Sequence, residues 1–372
     1  MIKRKIPVVI FMLNLLFLRG CIVEYIPATD EEQELLVVDG IITDQPGINT
    51  IRLAKSIPLW GSQVAKPLKG CMVWLSDDLG DIDSLKETVN GKYITDSASF
   101  KGETGRVYTL HIRINSFSGY LNYESFPVKM IPVPPVDTIY YEKETFDYYH
   151  IPYEGCNIYL DTYDPANICT FYRWKYSETW EFRVPFDVPS KVCWKTENSG
   201  GISIKNTSIL EETRITRHPV ITITNPIDRL TVKYSILVSQ YSMNEDEYLY
   251  WDRLKNTLDQ IGGLYDLIPA YIPNNIYCVE NPNEKILGYF SVSAVSSRRL
   301  FIKDNFKGLD VSCMPDTIYG TGDISGLNST VWVIIDHTDQ IPPYKVIANN
   351  WWCGDCTKTG TNIKPSFWDE DK

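Results

Sequence analysis

The residue types able to do chemistry are few and scattered. Cys353-Gly354-Asp355-Cys356 is a C-x-x-C pair, a spacing shared by zinc sites, thioredoxin-like redox sites and structural disulfides. A tetrahedral zinc needs four ligands, and no second C-x-x-C exists. A redox pair needs a βαβ setting, which the flanking sequence does not provide. Structural disulfides are therefore the expected use, with one or both thiols reaching elsewhere and Trp351-Trp352 packing beside the staple. The four histidines, His111, His150, His218 and His337, lie in no H-E-x-x-H or G-x-S-x-G context, and no glycine loop could cradle a phosphate. No nucleophile–base set is legible, although triads are assembled by geometry and can be scattered along a chain. Asp77, Asp78, Asp81 and Asp83 offer oxygens that suit calcium, but their spacing is not that of an EF-hand, and a solvated loop is expected. The run Phe146-Asp147-Tyr148-Tyr149-His150 could stack on a peptide or sugar; filling a groove between domains is its expected role. No catalytic residue, metal ligand or cofactor is assigned.

Cys21 stands apart from the other cysteines. Lys3, Arg4 and Lys5 precede an apolar stretch, Ile6 to Leu18, broken only by Asn14. That stretch is too short to span a bilayer, which takes about 20 apolar residues, but it suits the core of a signal peptide. It ends in Leu18-Arg19-Gly20-Cys21, which resembles a bacterial lipobox with Arg19 as its one departure. Residues 1–20 are read as a lipoprotein signal, Cys21 as the lipidation site and 21–34 as a short polar tether.

Charge and cysteine count narrow the classes further. The precursor carries a formal charge of -11, and residues 1–20 hold four cations and no acid, leaving about -15 on the mature chain. Phosphate backbones demand a basic footprint, so nucleic-acid binding is excluded. Removing Cys21 from the nine cysteines leaves Cys71, Cys156, Cys169, Cys193, Cys278, Cys313, Cys353 and Cys356. An even set in an exported chain points to disulfides, with the pairing undetermined. Buried free thiols, packing as small hydrophobes, are the other use of such cysteines.

The elements that must position these residues are mostly strands. Tyrosine and tryptophan are abundant, and aromatic and β-branched residues favour sheets. From 35 to 130 short alternating segments between turns predict an Ig-like or transthyretin-like β-sandwich. Cys71 to Leu75 reads as a central strand and Asn90-Gly91 as a hairpin turn. In Tyr108 to Arg113, His111 falls on the solvent face. Ile131-Pro132-Val133-Pro134-Pro135 is a stiff run, and 131–137 is taken as the linker. Residues 138–372 are predicted to form a larger β-rich domain. Its clearest strand puts Tyr172, Trp174, Tyr176, Trp180, Phe182 and Val184 inward, with Glu178 as the exception. Arg173, Lys175, Ser177, Thr179, Glu181 and Arg183 then face water, and a bend or bulge midway is expected. One amphipathic helix is predicted near 243–261. Ser242 and Glu245 would form its capping box, Trp251, Leu254, Leu258 and Ile261 its apolar stripe, and Gly262-Gly263 its stop. The stripe is expected to cover the second sheet.

Several of these stretches occur together in a familiar order. They are the lipobox, Val37-Val38-Asp39-Gly40-Ile41-Ile42-Thr43-Asp44, Tyr172-Arg173-Trp174, Gln240-Tyr241-Ser242 ahead of Tyr250-Trp251, and Gly288-Tyr289-Phe290. Cys353-Gly354-Asp355-Cys356 and Lys364-Pro365-Ser366-Phe367-Trp368 close the series. The chain thereby resembles the domain-of-unknown-function 4249 lipoproteins of Bacteroidota. The resemblance implies a protein held in the outer membrane by its N-terminal lipid, without established catalytic residues, and associated with a TonB-dependent outer-membrane barrel. It also suggests Asp83-Ser84-Leu85, Asp96-Ser97-Ala98, Asp137-Thr138-Ile139 and Asp316-Thr317-Ile318 as O-glycosylation triplets. The expected function is an accessory or cargo-binding partner of such a transporter, its ligand unspecified. Two alternatives are an envelope-assembly or adhesion component and a surface hydrolase of glycans or peptides, the latter requiring a Ser/His pair or convergent carboxylates in a cleft.

Overall fold

The computed structural model describes residues 34–56, 65–98, 100–116, 119–184, 186, 188–224, 228–260, 271–309, 315–320, 332–337, 339–348 and 351–370. Cys21, Cys313, the Gly262-Gly263 stop and Ile261 lie outside them.

Ten strands come before the proline run: β1 (Leu36–Thr43), β2 (Thr50–Lys55), β3 (Lys66–Pro67), β4 (Met72–Asp77), β5 (Ile82–Ser84), β6 (Lys86–Val89), β7 (Lys92–Ile94), β8 (Val107–Ser116), β9 (Gly119–Ser125) and β10 (Val128–Lys129). After it come β11 (Val136–Tyr148), β12 (Ile151–Asp164), β13 (Phe171–Arg183), β14 (Val192–Asn198), β15 (Ser203–Asn206), β16 (Thr213–Ile223) and β17 (Lys233–Met243). Then follow the helix α1 (Glu245–Gln260), β18 (Ile276–Cys278), β19 (Ile286–Ser293) and β20 (Val295–Ile302). The last elements are β21 (Pro315–Tyr319), β22 (Trp332–His337), β23 (Tyr344–Ala348) and two short 3-10 turns, Trp351–Gly354 and Cys356–Lys358.

Two β-sandwiches result, where the alternation predicted one followed by a larger β-rich domain. In the first, a sheet ordered β19-β1-β2-β7-β6 faces one ordered β18-β9-β8-β4-β5. Their inward residues, among them Val38, Ile51, Leu75, Leu110, Tyr123 and Phe290, form one apolar core. In the second, β11-β12-β16 faces β14-β13-β17-β20 over Ile158, Leu160, Tyr172, Trp174, Trp180, Ile236 and Val238. A small sheet, β21-β23-β22, follows.

The linear division at 131–137 differs from the observed layout in one respect. β18 and β19, far downstream, complete the two sheets of the first sandwich: β18 pairs with β9, and β19 runs parallel to β1 from Leu36↔Ile286 to Thr43↔Ser293. A parallel pair needs a long crossover, and the whole second sandwich supplies it. Ala294 alone then separates β19 from β20 in the other sandwich.

The two crossings lie side by side, with Ile131 bridging Ser293. Ser242, fully buried, donates from Oγ to the Ile131 carbonyl (2.6 Å) and accepts the Ala294 amide (3.0 Å). Gln240, also fully buried, donates from Nε2 to the Pro134 carbonyl (2.9 Å) and to Thr162 Oγ1 (3.1 Å), and accepts Trp174 Nε1–H (2.9 Å). Proline's missing donor leaves the linker short of local partners, and these side chains satisfy its carbonyls. The joint is thus tied by hydrogen bonds on both crossings.

Three local expectations are corrected. Of the bend or bulge expected in β13, the bulge does not occur; its register with β17 is continuous from Phe171↔Met243 to Glu181↔Lys233. Length is accommodated instead by a change of neighbour, with β15 pairing its first part and β14 its second. The helix cap is Asn244, whose Oδ1 accepts the Glu247 amide (2.8 Å); Ser242 is occupied at the crossing. The helical stripe also moves. Glu247 and Tyr250 are buried, Trp251 and Leu254 half-buried and Leu258 exposed, because α1 packs against β13 and β15 of one sandwich and β19 of the other.

Candidate functional site

Where α1 lies across the two sandwiches, ionisable and aromatic side chains converge. Period-2 alternation puts Arg173 and Lys175 on the outer face of β13. Cross-strand register sets Tyr241 beside Arg173 and Ser239 beside Lys175, and Ser297 beside Ser239. β19 contributes Tyr289 and Ser291, and α1 contributes Glu247, Tyr250 and Trp251.

Glu247 is 1% exposed. Its Oε1 accepts Ser291 Oγ–H (2.6 Å) and Trp251 Nε1–H (3.2 Å), whereas its Oε2 is buried with no hydrogen-bond partner. Burial pushes its carboxyl above the usual range, opposed by the Ser291 bond and by Arg173. The Arg173 guanidinium stacks on Trp251 at 3.5 Å from the ring centre, and Lys175 Nζ lies 5.8 Å from the centre of Tyr241. Burial holds both cations below their ordinary pKa, and Arg173 depresses Lys175 further. Tyr250 and Tyr289, both buried, stack at 4.8 Å and wall the inner side. The arrangement can hold a polar ligand by charge and hydrogen bonds; among the described residues no nucleophile–base pair stands beside it.

The water-facing surface expected along β13 is only partly open. At its far end the C-terminal segment lies over the sheet: Trp194 and Thr361 exchange backbone hydrogen bonds, and Trp368, 2% exposed, donates Nε1–H to Glu181 Oε2 (3.3 Å). Lys233 Nζ donates to the Trp368 carbonyl (2.5 Å). Thr179 and Glu181 are consequently buried. On the inner face, Glu178 is tolerated because Tyr234 donates to its Oε2 (2.8 Å) and Arg229 pairs with its Oε1 (3.2 Å).

The cysteine set resolves as follows. Cys356 is bonded to Cys193 of β14, 163 residues away. Cys353 is also in a disulfide, so the C-x-x-C is used structurally and the zinc and redox readings are set aside. Cys71, Cys156, Cys169 and Cys278, weighed as disulfide partners, are free thiols. Cys156 and Cys169 fill inward positions of the second core and Cys278 of the first, packing as small hydrophobes. Burial pushes Cys156 and Cys169 up to about 12, which makes them inert as nucleophiles.

Two acids of the loop share one arginine. Arg106 pairs with Asp77 and with Asp78 (2.7 Å) beside a cavity of about 280 Å³ lined also by Asp81, Asp83, Glu103 and Tyr108. No metal-binding group of acids, histidines or cysteines occurs among the described residues.

A Ser–His–Glu chain, not legible in the sequence, runs across the outer face of the first sandwich. Ser76 Oγ is 2.8 Å from His111 Nε2, His111 Nδ1 is 3.3 Å from Glu124 Oε1, and Tyr277 donates to Glu124 Oε2 (3.0 Å). His111, expected to be solvated, is instead stacked flat on Trp74 (5.1 Å, 5°). Ser76 is laddered on both sides, to Ile82 and to Thr109. Its amide is therefore in the sheet and unavailable to an oxyanion, whose stabilisation is the larger part of acyl-transfer catalysis.

The aromatic run near 146–150 also departs from expectation. Tyr149 and His150 form the tip of the β11–β12 hairpin, both with left-handed backbones (φ 50° and 66°), and Tyr149 is 81% exposed. Phe146 folds back on Tyr153 (5.8 Å), so the base of the run packs within its own hairpin.

Of the residues singled out in the sequence, the structure brings Arg173, Lys175 and Trp251 together. Tyr289 stood out only as part of Gly288-Tyr289-Phe290, and Glu247 and Ser291 not at all, because their partners are set by the crossover. The Asn244-x-x-Glu247 spacing was the one available signal.

A comparison with curated proteins returns no match. Among protein families, Domain of unknown function (DUF4249) matches residues 22–299, which spans the first sandwich, most of the second and α1. The chain belongs to the Domain of unknown function (DUF4249) family.

Proposed function

We propose that the protein is a lipid-anchored outer-membrane binding protein of Bacteroidota type, non-catalytic, working beside a TonB-dependent transporter. The observation that carries the anchoring is positional: the family match begins at residue 22, one residue after the cysteine that ends the signal-like stretch. The shared body thus starts where an acylated first residue would stand. A tether at that point confines the sandwiches to the membrane surface, and confinement raises the effective concentration of a membrane partner, so weak contacts suffice. The exposed Tyr149–His150 hairpin tip is suited to such contact, since bulky residues held at positive φ cost about 1–3 kcal/mol each and persist where the aromatic display is useful.

The test has two arms. Wild-type protein should carry an acyl mass on its first mature residue and co-purify from detergent extracts with a TonB-dependent barrel; Cys21→Ala should be released from the membrane. Full membrane retention of Cys21→Ala, or a monodisperse wild type with no barrel, would sink the corresponding half of the proposal.

The Ser76–His111–Glu124 chain favours the hydrolase reading as a second choice. Fluorophosphonate labelling of the wild type that disappears in Ser76→Ala, with ester turnover, would replace the binding reading; absence of labelling would remove the hydrolase.

A further inference from the structure

We propose that the Arg173–Lys175 face of β13 is a binding site for a small oxyanion-bearing ligand, a carboxylate or phosphate. The proposal takes the binding-protein reading for granted only in treating the site as a place for ligand rather than for chemistry. It is independent of the lipid and of the transporter.

The geometry carries it in three steps. First, the two cations stand two residues apart on one strand face, about 6.6 Å at strand rise, and among the described residues neither has an ion pair. Two adjacent half-buried cations with no direct ion pair repel each other, since Arg173 depresses Lys175, and an anion between them relieves that repulsion. Second, the nearby acids, Asp39 and Glu247, favour the charged cations from a distance but make their direct bonds elsewhere. Asp39 pairs with Arg52 (3.2 Å), and Glu247 is turned to Ser291 and Trp251. Third, the cationic side chains are held in place before any ligand arrives. The guanidinium lies on Trp251 and the ammonium toward Tyr241, which lowers the ordering cost of binding.

The surrounding surface agrees. Ser239 and Ser297 place their hydroxyls 2.9 Å apart on the same face, and Ser177 lies one step along β13; these supply donors to the remaining oxygens. α1 closes one end and the C-terminal segment at Phe367, over which Arg299 stacks at 3.6 Å, closes the other. Elsewhere the protein is acidic, so a free anion is repelled from most of its surface and directed here. A guanidinium fork matches either carboxylate or phosphate.

The test uses the purified full-length mature chain titrated with inorganic phosphate, with citrate and with neutral glucose, followed by calorimetry and by shifts in midpoint temperature. Saturable binding of phosphate or citrate, none of glucose, and at least a tenfold weakening in Lys175→Gln and in Arg173→Gln are expected. Arg173→Lys, which keeps the charge and loses the fork, should retain part of the affinity. Which anion binds more tightly tells the carboxylate source from the phosphate source. Should Arg173→Gln melt early, Lys175→Gln decides alone, since Lys175 makes no hydrogen bond among the described residues. Absence of saturable binding of either anion up to about 10 mM would overturn the proposal, as would anion binding unchanged in Lys175→Gln. Neither outcome touches the acyl mass or the barrel co-purification.

Discussion

His218 shows how burial sets a side chain's chemistry. It sits 4.0 Å from the Trp174 ring and 3.1 Å from Ser203 Oγ, and burial, with Lys205 and Lys255 adding to it, lowers its pKa to about 4. The folded state therefore holds it neutral while the unfolded chain takes a proton near pH 6.5. Between those values the unfolded state binds more protons, so stability rises with pH through this window and is complete above it. The contribution is about 2–3 kcal/mol. Denaturant melts at pH 4.5 and 7 should differ by less in His218→Gln than in the wild type, and an unchanged difference would refute the assignment. Gln240 makes a second prediction at this scale. Gln240→Leu strands the Trp174 indole N–H and the Pro134 carbonyl, each costing about 1–3 kcal/mol when buried; a loss below about 1 kcal/mol in chemical denaturation would mean the crossing relaxes. Neither environment was legible beforehand. Alternation told which way Trp174 faces, but not that a glutamine four strands' worth of chain away would meet it.

Among elements, β13 was the most legible, because alternation over a long strand depends only on local sequence and core burial. Its covering was not. Whether Thr179 and Glu181 meet water depends on a C-terminal segment whose docking is non-local, fixed by the Cys193–Cys356 bond and by Trp368. Two consequences follow for that segment. Trp368→Ala removes a buried aromatic and should cost about 3–5 kcal/mol, read as a lower midpoint in thermal unfolding. Cys193→Ala with Cys356→Ala opens a loop of more than 160 residues, worth up to about 5 kcal/mol in the chain-entropy account. Hydrogen exchange should speed up at Trp194 and Thr361 first, since their mutual backbone bonds pin the segment to β14; exchange unchanged at both would show that the segment is held without the bond. The helix was legible in position but misread in detail, since a serine beside a helix start can serve either a cap or a neighbouring strand, and here the crossing takes it.

At the level of the whole molecule, the proline run was legible as a stiff connection between an N-terminal sandwich and a larger β-rich region, but the closing of the first sandwich by β18 and β19 was not. A parallel pairing between strands some 250 residues apart leaves no trace in local pattern. It does leave a steric trace: Gly288 adopts φ +95°, and a Cβ there would sit 1.9 Å from the Val38 carbonyl oxygen. Backbone rather than side chain blocks the way, so Gly288→Ala should cost more than about 3 kcal/mol and loosen β1 from β19. The same logic predicts how the chain comes apart. A fragment of residues 34–135 would expose the backbone edges of β1 and β9 and the apolar positions that Ile276, Cys278, Ile286 and Phe290 cover. Unpaired edges over an open core aggregate rather than fold. The fragment alone should show no cooperative melt by circular dichroism, whereas fusing residues 275–294 to it through a flexible linker should restore one. A sharp unfolding transition in the unfused fragment would mean that the first sandwich is self-sufficient and that β19 is an added strand, not a closing one.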